Sequence, residues 1–339
     1  MPLPPPRPIR EYERVDRATF LEEIRPAGWP AVLRGLAADW PAVQAARISD
    51  EAFVAYLERF AVDRPVAAII GEPAIKGRFF YTDDMTGLNF SRGLTPLGPF
   101  FGRLLRDRGN PEPYSIAVQS EQIPQLLPGF EKENRTDLAP PGVAPRAWIG
   151  NRIRVAAHYD LMENIGFVVA GRRRFTLFPP DQLANLYPGP FELTPAGTPI
   201  SLVDLENPDL ELFPRFAEAA AAALGAELAP GDAVYIPFHW WHAVDSLEPV
   251  NLFVNYWWND APPGIGNPYD ALIHAFFALK PLPEDQRRVW RMIFDHYIFQ
   301  TNGEPAQHLP PAVRGILGPT TPEHLGRLRA TLKQMSEKL

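Results

Sequence analysis

The chain contains no cysteine among its 339 residues. That absence excludes disulfides, thiolate metal sites and a cysteine nucleophile, and it fits a reducing compartment. A basic excess is also missing: 33 Lys and Arg against 40 Asp and Glu leave a net charge of −7, so the positive surface of a nucleic-acid binder is not expected. No segment approaches the roughly 18 uncharged apolar residues of a membrane span. Residues 1–8 lack the apolar centre of a secretory signal, so a cytoplasmic protein without membrane contact is expected. There is no internal repeat and no long linker.

What is abundant is proline, at 40 residues without any period. With 12% aromatic and 46% hydrophobic residues, this reads as a loop-rich folded protein with a sizeable core, not as low-complexity chain. Residues 1–10 read as an extended proline-rich arm. Asp16 can cap a short helix to about residue 24, Ser49 or Asp50 a second to about residue 60, and Thr95-Pro96 a third that ends at Gly109. Strands are expected at residues 66–70, 79–82 and 114–119. From Trp148 to Trp258 short apolar runs alternate with Pro/Gly turns, broken by one helix near residues 215–224. That spacing predicts a sandwich or barrel. After Pro262-Pro263-Gly264 the periodicity becomes helical, and the stretch 289–299 is too apolar to be left in water; it is expected to pack on the barrel or on a second subunit.

Within the β-rich segment, His158-Tyr159-Asp160 ends one strand-like run, beginning at Trp148, and His242 ends another, behind Pro230-Gly231-Asp232. Side chains alternate along a strand, so His158 and Asp160 share a face. Two imidazoles and one carboxylate with open positions are the donor set of non-haem Fe(II) oxygenases, although the set by itself admits any divalent metal. The competing reading is a buried histidine bonded to backbone beside a surface aspartate. His239 cannot join His242 at one ion, because residues three apart on a strand face opposite ways.

Ala157-His158-Tyr159-Asp160, Leu177-Phe178-Pro179-Pro180-Asp181-Gln182, Glu206-Asn207-Pro208-Asp209, Pro230-Gly231-Asp232, Trp240-Trp241-His242 and Asn255-Tyr256-Trp257 follow one another in order. Gly28-Trp29-Pro30-Ala31-Val32-Leu33-Arg34-Gly35 and Asp39-Trp40-Pro41 precede them. The chain resembles the Jumonji-C, cupin-like 2-oxoglutarate oxygenases, closest in motif to the asparaginyl-hydroxylase branch that inhibits hypoxia-inducible factor. The resemblance implies a mainly β fold, a double-stranded β-helix (cupin jelly roll) with N-terminal α/β elements and a C-terminal helical bundle. It divides the chain into the arm 1–10, a catalytic domain 11–262 and a helical region 263–339 that would make a homodimer.

By the same resemblance His158, Asp160 and His242 would hold Fe(II), the histidine after the Trp-Trp pair being the ligand. Arg173 would anchor the distal carboxylate of 2-oxoglutarate where the branch has a lysine, with Asn164, Asn255 and Tyr114 as further contacts and O2 as co-reactant. Tyr81 and Trp257 would face the substrate cleft. Two departures matter. Val155 stands where the branch has a cosubstrate-binding threonine. Pro199 and Ile200 stand where an Arg-Gln pair holds the target asparagine, and an isoleucine can neither donate to nor accept from an amide. The implied activity is hydroxylation of a C–H bond on a protein or peptide side chain, with succinate and CO2 released. The alternatives are a small-molecule oxygenase of the same class and a non-catalytic cupin-fold binding protein.

Overall fold

A computed structural model of the chain describes residues 3–337. Its strands in the first half are β1 (Arg7–Pro8), β2 (Arg10–Glu13), β3 (Ala31–Arg34), β4 (Pro65–Gly71), β5 (Arg78–Phe79), β6 (Ser91–Pro96) and β7 (Ser115–Gln122). The barrel strands follow: β8 (Arg146–Gly150), β9 (Arg154–Tyr159), β10 (Glu163–Ala170), β11 (Arg173–Phe178), β12 (Leu224–Leu228), β13 (Ala233–Ile236), β14 (Trp241–Ser246) and β15 (Asn251–Trp258). They form a six-stranded sheet in the order β1-β12-β11-β14-β9-β5 and a nine-stranded sheet in the order β2-β3-β13-β10-β15-β8-β7-β4-β6.

The expected jelly roll is present. Four barrel strands of one sheet (β12, β11, β14, β9) and four of the other (β13, β10, β15, β8) are each joined antiparallel. The inner faces meet in a core that includes Val168, Phe175, Leu177, Val234, Ile236, Val244 and Phe253. Outside the nine-stranded sheet, Phe167, Tyr235, Leu252 and Tyr256 pack with Phe20, Trp40, Phe53 and Phe101. With both faces covered, the inner strands of that sheet are apolar nearly throughout; β13 (Ala-Val-Tyr-Ile) is buried at every position. At Gly166 in β10 an added Cβ would lie 1.9 Å from Cζ of Phe253, so the missing side chain makes room for that ring.

The helices begin where capping chemistry predicts. Asp16 accepts from the Thr19 N–H at 2.8 Å and Ser49 from the Ala52 N–H at 3.1 Å. The run from Trp148 to Asp160, read as one strand, is two: it breaks at Asn151–Ile153 and crosses from the nine-stranded to the six-stranded sheet. A helix at Pro41–Ile48 and the edge strand β6 were not anticipated.

The chain divides into two compact units, one ending at Asn259 and one beginning at Asp260. The second carries helices Pro268–Ala278, Glu284–Tyr297 and Pro322–Ser336. Val289, Met292, Ile298 and Phe299 are exposed, each by more than half. Among the described residues no helix is long and apolar enough to cross a membrane.

Candidate metal centre

β9 and β14 are antiparallel neighbours, and their register places His242 directly opposite His158. The two rings lie 4.3 Å apart at 53°. Asp160, two residues past His158 and just beyond the end of β9, turns to the same place, and the ligand atoms of all three lie within 4.8 Å of one another. The strand is not regular. From Val244 to His242 on β14 two steps are matched by three on β9, from Val155 to His158, so β9 carries a bulge. Val155 and His158 consequently both face the interior, although three residues separate them.

Each imidazole is oriented by a carbonyl two residues earlier. Nδ1 of His158 lies 3.0 Å from the Ala156 carbonyl and Nδ1 of His242 lies 3.0 Å from that of Trp240. A carbonyl only accepts, so both rings carry the proton on Nδ1 and present the Nε2 lone pair. Burial, reinforced by neighbouring His242, pushes His158 down to about 4, which keeps it neutral as a metal ligand must be.

Asp160 is held by a chain of hydrogen bonds whose direction is fixed at its far end. The Trp148 indole N–H can only donate, and it meets Oδ1 of Asn255 at 2.8 Å. That leaves the Asn255 amide to donate to Oδ1 of Asn164 at 3.1 Å, and Asn164 to donate to Oδ2 of Asp160 at 3.1 Å. The Trp257 indole donates to the same oxygen at 3.1 Å. Two donors on Oδ2 fix the orientation of the carboxylate beside the histidines, with that oxygen 3.6 Å from Nε2 of His242.

Next to the triad lies a cavity of about 50 Å³ lined also by Asn164, Asn255 and Arg173. Arg173 projects inward from β11, whereas Arg172 and Arg174 are half-exposed. Its guanidinium donates to the Trp148 carbonyl at 3.2 Å and sits 5.0 Å over the Phe253 ring. Its Nε has no hydrogen-bond partner, and no carboxylate pairs with it among the described residues. Burial pulls the group down to about 9, still protonated at neutral pH. A buried cation with an unused donor is costly unless an anion completes it. The donor set therefore fits a divalent ion, and Arg173 fits the carboxylate of an acid bound beside it.

The comparison with known families agrees with this geometry. Residues 17–263 match the cupin-like domain family, most of the chain. The chain belongs to that family. It is a Jumonji-C, cupin-like protein, of a family that typically uses Fe(II) and 2-oxoglutarate. Human (Homo sapiens) HSPB1-associated protein 1 is 40% identical over 114 residues, covering 32% of this chain and 22% of that protein. tRNA wybutosine-synthesizing protein 5 of Danio rerio is 27% identical over 276 residues, 74% of this chain and 75% of that one. Lysine-specific demethylase 8 of Xenopus tropicalis is 28% identical over 235 residues, 68% of this chain and 48% of that one. The aligned segment thus spans just under a quarter of the first relative's length.

Of the residues singled out in the sequence of this cupin-like protein, the structure brings His158, Asp160, His242, Arg173, Asn164, Asn255 and Trp257 together at one cavity. Tyr114 is not among them. It lies just before β7, about one-third exposed, with Arg103 5.0 Å over its ring, and it lines neither the inner cavity nor the cleft outside it. Tyr81 is buried and likewise absent from the cleft wall. His239 stands at a turn with φ of 62° and stacks on Tyr159, 4.8 Å away.

An outer cleft of about 480 Å³ reaches the triad and shares His158, Asp160 and Trp257 with the inner cavity. Val155 and Ile200 line it. Sequence reasoning missed Trp148, the origin of the hydrogen-bond chain, and the cleft wall built by Ala67, Ala68, Arg92 and Ser120. Trp148 at the head of the His158 run was the one available signal.

Proposed function

We propose that this protein is an Fe(II)- and 2-oxoglutarate-dependent dioxygenase that hydroxylates a C–H bond and releases succinate and CO2. The observation that carries the reading is the unpaired, buried Arg173 in the same cavity as two Nε2 lone pairs and a carboxylate. An iron ion held by His158, Asp160 and His242 would supply O2 activation, as the two-histidine, one-carboxylate set does elsewhere. The protein's own part is positional. Arg173 binds the distal carboxylate of the cosubstrate, the chain from Trp148 orients Asp160, and Val155 offers an apolar wall where the related asparaginyl hydroxylase offers a hydroxyl.

Both a protein side chain and a small molecule fit this class of chemistry. The cleft favours the small molecule, because about 480 Å³ lies in the usual range of roughly 300–1,000 Å³ for small-ligand pockets. Asparagine hydroxylation is disfavoured by Ile200, which is buried and turned into the cleft wall. The non-catalytic reading is disfavoured by the complete triad. We also assign the exposed apolar side chains of helix Glu284–Tyr297 and its continuation to contact with a second copy of the chain.

The test is succinate formation from 2-oxoglutarate under Fe(II) and O2. His158→Ala or Asp160→Ala is expected to abolish it while the circular-dichroism spectrum stays unchanged. Arg173→Ala is expected to raise the 2-oxoglutarate requirement about 10- to 100-fold, the range for losing a charged hydrogen-bonding partner. Undiminished turnover in either ligand variant would refute the metal assignment.

A further inference from the structure

We infer that the prime substrate is a small organic acid, with an apolar stem directed at the triad and one anionic head that meets Arg92. The position of the reacting bond rests on the oxygenase reading above; the charge of the substrate rests on the cleft itself.

The cleft is lopsided in charge. Among the described residues its one acidic lining residue is Asp160, already engaged by two donors, and its one lining residue with a cationic side chain besides the neutral His158 is Arg92. Arg92 lies on β6, exposed, with its guanidinium 5.8 Å from the Phe90 ring, and no carboxylate pairs with it among the described residues. Nearby arginines behave differently: Arg78 and Arg154 are both paired with Asp204, at 3.5 and 3.0 Å. In a protein of net charge −7, an unpaired arginine in a cleft wall is a local reversal of sign, and such a patch draws anions.

A second guanidinium lies behind the wall. Arg146 is clamped to the carbonyl and hydroxyl of Ser120 at 2.7 and 3.1 Å and stands 5.4 Å over the Trp257 ring. Phe90 and Trp257, two of the aromatic rings in the cleft lining, are therefore already faced by the protein's own cations. An ammonium or methylated ammonium seeking an aromatic face would meet like charge at either ring, an arrangement that selects against the wrong ligand as much as for the right one. The wall also includes Ala67, Ala68, Ile69, Ala196 and Gly197, which have no side-chain donor or acceptor; of its uncharged polar side chains, Ser120 is bonded to Arg146 and Thr194 to the Thr198 carbonyl, which leaves Gln119. The stem that fits there is apolar, and its uncharged end reaches His158 and Asp160.

The experiment is a calorimetric titration of the full chain, loaded with Mn(II) and 2-oxoglutarate so that Arg173 is already occupied. The probes are octanoate and octylamine. Octanoate is expected to bind at least tenfold tighter than octylamine, and Arg92→Glu to weaken octanoate by about tenfold or more. Arg106→Glu, at an exposed arginine of helix Leu97–Asp107 outside the cleft, is expected to leave it unchanged. Equal binding of the two probes, unchanged octanoate affinity in Arg92→Glu, or an equal loss in Arg106→Glu would each overturn the inference. An acidic peptide binding tighter than octanoate would overturn the small-acid assignment. Arg92-dependent octanoate binding in protein that forms no succinate would support the inference while removing the oxygenase reading.

Discussion

Trp148→Phe keeps an aromatic ring but removes the indole N–H, and that donor sets the direction of every bond from Asn255 through Asn164 to Asp160. Without it Asn255 can rotate, and the amide series no longer ends as a donor on the carboxylate. Loss of an outer partner of a metal ligand typically costs about 10- to 100-fold in affinity. Trp148→Phe is therefore expected to weaken Mn(II) binding about tenfold, read by electron paramagnetic resonance, with little change in thermal stability; unchanged metal affinity would show that the chain of amides does not orient Asp160. His158, Asp160 and His242 were legible in the sequence because a strand's alternation puts the first two on one face and a turn-strand signal precedes the third. Trp148, Ser120 and Arg92 were not, since their roles come from neighbours on β15, β8 and β4, and no local pattern encodes that adjacency. Tyr114 was an assignment by resemblance alone, and the chain turns it toward Arg103 instead.

Among the elements, β10 shows how the barrel wall and the site constrain each other. Gly166 lies between Asn164 and Val168 on the inner face, and the Phe253 ring fills its place while supporting Arg173 from 5.0 Å. Gly166→Ala would press on that ring, which also packs against Phe175 at 5.7 Å. Overpacking of a full core costs about 1–3 kcal/mol. We expect a loss in that range by urea unfolding, together with a weaker 2-oxoglutarate dependence on Arg173; a variant as stable as the parent would show that the ring has room to move. The elements were legible where one signal dominated, as at the Asp16 and Ser49 caps. They were not where two signals conflicted. The Trp148 run looked continuous, but Gly150-Asn151 is a turn pair inside it, and Asn151 bonds the backbone at Ile116 and Tyr114 rather than continuing the strand. β6 contains a glycine and a proline, which read as loop and are tolerated because the strand is at a sheet edge.

At the scale of the whole molecule, the order of motifs along the chain was enough to anticipate the jelly roll, because several of them mark where its strands end or begin: His158-Tyr159-Asp160 closes β9, Pro230-Gly231-Asp232 turns from β12 to β13, and Trp240-Trp241-His242 opens β14. The unit beginning at Asp260 is different. Its helices follow from spacing, but what meets their apolar side chains does not. Trp290 is 42% exposed and Phe299 is 66% exposed, and exposed apolar surface of this kind marks an interface. The chain is expected to sediment as a dimer, and the double substitution Trp290→Glu with Phe299→Asp to shift it toward monomer in analytical ultracentrifugation. A monomer at micromolar concentration in the parent chain would exclude the pairing.

The bulge in β9 has one more consequence. Counting back from His158 in steps of two would send Ala156 and Arg154 into the cavity and Val155 away from it. Instead Val155 lines the cavity, while Arg154 ion-pairs with Asp204 and Glu206 at 3.0 and 2.9 Å. The strand is two half-strands out of phase, with the joint at Ala156 and Ala157. Mutational drift before the joint can retune the cavity wall, for instance by Val155→Thr, without disturbing the rhythm that delivers His158 and Asp160. The ligands and the pocket they serve can thus diverge at separate rates on a single strand.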